Sequence, residues 1–302
     1  MMYSNILLPT DFSLCANAAL HQAVTIAERF QGTVTMLHVV TIYESDSSNI
    51  KDRIAASSLS YDKIIATAEE MLHTKDGMIE TPVLIEKVLL RGISPTSEIL
   101  SYAAEHHPDL IVMGTHGRTG IRRLIMGSVA EKIIRLSESP VMTVRCGSDG
   151  KPQGYPNYRS ILVPVDFSKA SANALWTASE IARKYGSILT LLHVTEAPDF
   201  NGYLESDDLD NEELGNSRIE EAEITLANLL SEAPLDGIEV YTRVIFGRPG
   251  RKIVEFAHKE DIDLIIIPSH GKSGFEKLLM GSNVNKVVHR ADVPVLVLKR
   301  KK

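Results

Sequence analysis

The chain has 302 residues and a formal net charge of −7, so it lacks the basic surface that a nucleic-acid partner demands. Hydrophobic residues make up 44% and charged residues 24%, a globular balance, and no apolar run reaches the ~18–20 residues of a membrane span. Two cysteines, Cys15 and Cys146, cannot build a disulfide framework. With no signal-peptide pattern in MMYSNILLPTDFS, they point to a reducing, cytoplasmic compartment.

In chain order, short β-branched runs predict strands near Asn5–Pro9, Thr33–Val39, Val83–Leu89, Leu110–Met113 and Val141–Val144. Amphipathic runs between them predict helices near Ser13–Phe30, Leu59–His73, Pro95–His106 and Ser128–Ser137. Ser13 suits the N-cap of its helix, and Pro95 falls where a first-turn proline is tolerated. Cys146–Tyr158, with three glycines and two prolines, reads as a linker. It separates a first domain, 1–146, from a second, 159–302, with 147–158 between them.

After the linker the alternation returns. Strands are expected near Ser160–Pro164, Ile188–Val194, Val240–Ile245, Leu264–Ile267 and Val295–Leu298. Helices are expected near Lys169–Tyr185, Asn211–Ser231, Gly250–His258 and Ser282–His289. Thr41–Tyr61 and the acidic Pro198–Asn216 read as surface loops placed to act as lids over strand ends. The terminal Lys299–Lys302 run reads as a solvated tail.

The two halves are copies. DLIVMGTHGRTGIRRLIMGS, from Asp109, returns as DLIIIPSHGKSGFEKLLMGS from Asp263. ILLPTDFS at Ile6–Ser13 returns as ILVPVDFS at Ile161–Ser168, and LHV at Leu37–Val39 returns at Leu192–Val194. A repeat this long is a whole domain, not a solenoid unit. Alternating strands and helices then imply an α/β fold with two tandem doubly wound domains.

Ligands of such sheets bind beyond the strand C-termini, where connections leave in opposite directions. Pro9-Thr10-Asp11 follows the first strand. Gly114-x-x-Gly117-x9-Gly127-Ser128 follows the fourth and ends on a helix start. Glycines allow close backbone approach, and a helix N-terminus favours an anion such as phosphate. Arg118, Arg122 and Arg123 add positive charge, as do Lys272 and Lys277 in the second copy. A nucleotide fits these parts. Each part also has a plainer job: Asp11 can hydrogen-bond the helix start, Ser128 can cap its helix, and His116 and His270 can be structural loop histidines.

ILLPTDFS, LHV, the GxxGx9GS loop and MGSVAEKIIRLSESPVMTV together resemble the universal stress protein family, in both halves and over nearly the whole chain. The resemblance implies two five-stranded parallel sheets of order 3-2-1-4-5, each between helices. It implies that Pro9, Asp11 and Val39 surround adenine and ribose, while Gly114, Gly117, Gly127 and Ser128 hold ribose and phosphates. ATP or another adenine nucleotide is the expected ligand, with Mg²⁺ able to accompany it. The resemblance further implies that the halves pack as a pseudo-dimer through their apolar last strands, and it allows homodimers of chains. In the second half Pro164, Asp166, Val194, Gly271, Gly281 and Ser282 are retained, but Pro268 replaces Gly114. A proline removes an N–H and fixes φ, which damages a site built on close backbone approach.

Three functions compete at this stage. One is a nucleotide-binding stress-response or regulatory protein whose output is conformation or partner binding. Another is a slow ATPase or nucleotidyl-transfer enzyme. The third is a scaffold with vestigial sites. HGKSG is not a P-loop, because Ile266 stands where the first glycine is required. No catalytic residue and no metal cluster stands out.

Overall fold

The computed structural model describes residues 2–41, 65–72, 82–115, 126–146, 157–196, 209–271 and 280–299. Contacts divide the chain into two compact units, Met1–Pro156 and Asn157–Lys302. The first contains β1 (Asn5–Pro9), α1 (Leu14–Phe30), β2 (Thr33–Thr41), α2 (described over residues 65–72), β3 (Ile85–Gly92), α3 (Pro95–His106), β4 (Leu110–Gly114), α4 (Ser128–Leu136) and β5 (Val141–Val144). The second contains β6 (Ser160–Pro164), α5 (Lys169–Tyr185), β7 (Ile188–Thr195), α6 (Leu209–Glu232), β8 (Val240–Phe246), α7 (Pro249–Lys259), β9 (Leu264–Pro268), α8 (Ser282–Arg290) and β10 (Val295–Leu298).

All strands within each unit are parallel. In the first, β1 lies between β2 and β4, with β3 outside β2 and β5 outside β4, giving β3-β2-β1-β4-β5. The second repeats this as β8-β7-β6-β9-β10. Right-handed crossovers place α1 and α2 on one face of the first sheet and α3 and α4 on the other. Ile65 and Ala68 of α2 pack on Val40 and Leu89 of the sheet, and α3 packs against α4. The central strands are buried on both faces, as their continuous apolar runs require.

Local chemistry sets most boundaries. Ser13 accepts from Ala16 N–H at the start of α1, and Ser168 accepts from Ser171 N–H at the start of α5. Pro95 and Pro249 occupy first turns. Asp109 Oδ2 accepts from Ser4 and Asn5 N–H, and Asp263 Oδ2 from Arg159 and Ser160 N–H. Each aspartate therefore fastens the start of the first strand to that of the fourth. β3 begins at Ile85 rather than Val83, because its ladder starts opposite Val34 of β2. Helix α6 begins at Leu209, so residues 209–216 of the segment expected as a loop are helical.

Two expectations need correction. Cys15 and Cys146 are disulfide-bonded, with Cα atoms 5.0 Å apart across 131 residues of sequence. Counting cysteines does not show that α1 crosses β4 and reaches β5, which brings its first turn beside the residue just past β5. Lys299 is not part of a solvated tail either. Burial pushes its ammonium down to about 8; residues 300–302 lie outside the described residues. So do residues 147–156 of the expected linker, 42–61 of the first expected lid and 198–208 of the second. No helix among the described residues is long and apolar enough to cross a membrane.

Gly114 lets α1 lie against β4. A Cβ there would stand 2.7 Å from the Cys15 carbonyl carbon and 2.8 Å from its oxygen. Gly114→Ala should therefore destabilise the first unit by about 1–3 kcal/mol, read as a lowered urea midpoint. Lys299 gives a pH signature. Its folded value of about 8 lies below its ordinary 10.5, so between those values the unfolded chain binds more protons. Stability should rise with pH across that window, with the burial cost fully present below it. Lys299→Met should remove the rise and stabilise the chain at neutral pH, as thermal unfolding at a series of pH values would show.

Candidate functional site

The site is built where β1 and β4 lie side by side, between the start of α1 and the start of α4. A cleft of about 290 Å³ opens there. Pro9, Asp11, Val39, Gly114, Gly127 and Ser128, six of the seven residues expected in the first half, line it together. Gly117, with His116, Arg118, Arg122 and Arg123, lies outside the described residues.

One wall is a strained turn after β1. Phe12 adopts φ +62, a left-handed conformation costly for a non-glycine residue. Polar contacts hold it there. Phe12 N–H donates to Thr10 Oγ1 at 3.1 Å, and Ser13 N–H donates to Asp11 Oδ1 at 3.0 Å. His38 Nδ1–H donates to the Thr10 carbonyl at 2.7 Å, while its ring packs on Phe12 with centroids 4.4 Å apart. Asp11 thus does the helix-start job and also faces the cleft.

The second unit repeats the turn. Phe167 has φ +60, His193 Nδ1–H donates to the Val165 carbonyl at 2.9 Å, and Ser168 N–H donates to Asp166 Oδ1 at 3.1 Å. His38 and His193 are the middle letter of the repeated LHV, of which the resemblance places only the valine in the site. Thr10, Met113 and Thr115 also line the cleft without having been expected.

The opposite wall is the start of α4. Here Gly127, not Ser128, holds the N-cap position, and no side chain caps the helix. Ser128 is the first helical residue, so its capping role falls away. Gly127 N–H donates to the Thr115 carbonyl at 2.8 Å, which fixes the helix start beside the end of β4. Ser128, Val129 and Ala130 line the cleft, so the first-turn N–H groups and the positive end of the helix dipole border it. The cleft therefore combines an apolar end at Pro9 and Val39, a carboxylate at Asp11, and a helix N-terminus.

In the second unit Pro268 stands where the first has Gly114. Pro268 ends β9, and the ladder to β10 is continued by Ser269 N–H, which donates to the Leu298 carbonyl at 2.8 Å. Thr115 N–H makes the equivalent bond to Val144 at 3.0 Å. Donors alternate along a parallel strand, so the N–H lost at Pro268 belongs to the cleft side, and the sheet does not need it.

Gly271 lies directly over the Asp166 carboxylate, so near that a Cβ would collide with Oδ2. Gly281 caps α8 as Gly127 caps α4, with Ser282 first in the helix. Val194 ends the corresponding part of β7, and Pro164 ends β6. His270 makes a hydrogen bond of 2.9 Å to Ser269 Oγ; Lys272 and Lys277 lie outside the described residues.

The universal stress protein family profile matches residues 2–145 and 157–299. The chain is 26% identical to universal stress protein Rv2005c of Mycobacterium tuberculosis over 98% of this chain and 97% of that one. It is 32% identical to universal stress protein MJ0531 of Methanocaldococcus jannaschii, over 48% of this chain and 84% of that one. The crystal structure of a universal stress protein from Archaeoglobus fulgidus superposes with a TM-score of 0.64 at 22% identity, covering 100% of both chains; it shares the fold.

The His38 bond should matter to the turn it braces. His38→Phe keeps an aromatic ring against Phe12 but leaves the Thr10 carbonyl without its donor, for a loss of about 1–3 kcal/mol in chemical denaturation. His193→Phe should act the same way in the second unit. A stability unchanged in both variants would show that neither turn depends on its histidine.

Proposed function

The chain belongs to the universal stress protein family, and from that premise we propose that its first half binds an adenine nucleotide in the β1–β4 cleft. Occupancy acts through conformation or partner binding rather than turnover, in a cytoplasmic stress-response or regulatory role. The observation that carries this is the uncapped start of α4 facing Asp11 and Val39 across one cleft.

Adenine lies against Pro9 and Val39. The ribose hydroxyls donate to Asp11. The phosphates take the first-turn N–H groups of α4 and its positive dipole. A volume of about 290 Å³ stands at the low end of small-molecule sites, ~300–1,000 Å³, and suits a nucleoside with its phosphates leading outward. Mg²⁺ accompanies the phosphates, carried by their oxygens and water more than by protein ligands. Gly114, besides lining this cleft, keeps α1 close to it, and Gly117 belongs to the phosphate loop. The two halves associate through their apolar last strands, and chains pair further as homodimers.

Pro164, Asp166, Val194, Gly271, Gly281 and Ser282 form a weaker second site. It lacks one cleft-side N–H at Pro268, and Gly271 covers the Asp166 carboxylate that would meet ribose. Gly271→Val would disturb Asp166 whether or not a ligand were present, so Pro268→Gly is the cleaner probe of that half.

Denaturing the purified chain and weighing any released small molecule should yield an adenine nucleotide at close to one per chain. Added ATP should raise stability by about 2.7 kcal/mol at 100 times its dissociation constant. Asp11→Asn can keep the acceptor for Ser13 N–H while losing the charge offered to ribose. It should leave stability nearly unchanged and weaken adenosine and ATP alike, by roughly tenfold or more. If the folded variant binds both as wild type does, Asp11 is a helix-start residue alone. Pro268→Gly should strengthen a second, weaker binding event; two equal sites in wild type, indifferent to this change, would refute the asymmetry.

A further inference from the structure

The disulfide lies against the cleft without belonging to it. Cys15 is the second residue of α1, and the next residue, Ala16, lines the cleft. The Cys15 backbone is the surface on which Gly114, another lining residue, packs. Cys146 stands at the other end of the domain's chain, two residues past β5 and just before residues 147–156. The bond thus clamps the wall that carries Asp11 and Ala16 to the far end of the first unit. At the repeated positions the second half has Ala170 and Arg300, so it has no counterpart of the clamp.

We propose that Cys15 and Cys146 form a reversible thiol–disulfide switch, operated by a dithiol, whose bond state sets how firmly the α1 wall of the cleft is held. Nucleotide affinity follows, and that consequence rests on the function proposed above.

The chemistry balances as ordinary exchange. One thiolate of the dithiol attacks Sγ of Cys146, the less buried partner. The S–S bond breaks and its electron pair leaves on Sγ of Cys15. That leaving group is favoured where it stands, because the first turn of a helix stabilises a thiolate. The second thiol of the reagent then attacks the mixed disulfide at the reagent's own sulfur and expels Cys146. The chain gains two electrons and two protons, and the dithiol departs as a cyclic disulfide. The disulfide form of the same reagent class reverses each step.

Reduction removes the tie between α1 and the residue past β5. Packing of α1 on β4 remains, but the first turn gains freedom to open locally. A wall that must be ordered on binding lowers affinity by the fraction of time it is out of place.

The test uses the full chain equilibrated with oxidised or reduced dithiothreitol. Thiols are counted by alkylation and mass, amide exchange is followed over residues 10–20 and 170–176 without ligand, and ATP is titrated by calorimetry. Cys146→Ser is carried through the same series. The oxidised chain should yield no alkylated thiols and the reduced chain two. Reduction should speed exchange at residues 10–20, leave 170–176 unchanged, and weaken ATP by about fivefold or more. Cys146→Ser should behave as the reduced chain does and ignore the reagent.

Equal exchange at residues 10–20 in both states overturns the switch. So does ATP binding of equal strength in both. Exchange that responds while neither state takes up ATP would overturn the nucleotide assignment and leave the thiol switch standing.

Discussion

The cleft depends on how closely α1 can approach β4. At Gly114 the helix backbone meets the strand with no room for a Cβ, the separation being set by the Cys15 carbonyl. That contact holds the first turn of α1 over the end of the sheet, and with it Asp11, the strained Phe12 and Ala16. It also brings Cys15 to Cys146. Gly114 is thus a packing residue before it is a lining one, and the same lack of a side chain serves both roles.

The fold was legible because the strands of a doubly wound sheet are buried on both faces and the helices are not. Runs such as LIVMG and LIIIP announce themselves, and Ser13, Ser168, Pro95 and Pro249 mark helix starts by local chemistry alone. The cleft was legible for a related reason: Pro9, Asp11 and Gly114 sit at strand ends, and parallel strands bring their C-terminal ends to one edge. What sequence spacing cannot supply is the distance between elements. The disulfide, the cover that Gly271 places on Asp166, and the burial of Lys299 all arise from packing across a hundred residues or between adjacent elements. The plainer reading of Ser128 as a helix cap falls away on a smaller scale. Glycine and serine both suit that position, and only the backbone shows that Gly127 takes it.

A bare glycine cap has a consequence that a serine cap would remove. Serine at the N-cap fills one of the vacant first-turn donors with its own oxygen, as Ser13 does for Ala16 N–H. In α1 and α5 the chain spends that device on stability, beside turns held at positive φ. In α4 and α8 it withholds the device, and both helix starts are left to the cleft side of the sheet. The contrast recurs in the second unit, so it belongs to the duplicated plan rather than to one loop.

The frame is the same in both halves. The aspartates that fasten strand to strand, Asp109 and Asp263, make the same backbone bonds. The histidine–phenylalanine pairs stand at 4.4 and 4.3 Å. Ladder bonds from Thr115 and Ser269 are equivalent. Against that constancy, the second half has a proline whose missing N–H its ladder to β10 does not use, and Ala170 and Arg300 at the positions of Cys15 and Cys146. A proline facing the ladder would have cost a sheet bond and a strand. At Pro268 the ladder bond to β10 is kept by the next residue, Ser269. The residue at the end of the fourth strand can therefore differ between the halves, Gly114 in one and Pro268 in the other, while the next residue keeps its ladder bond in both.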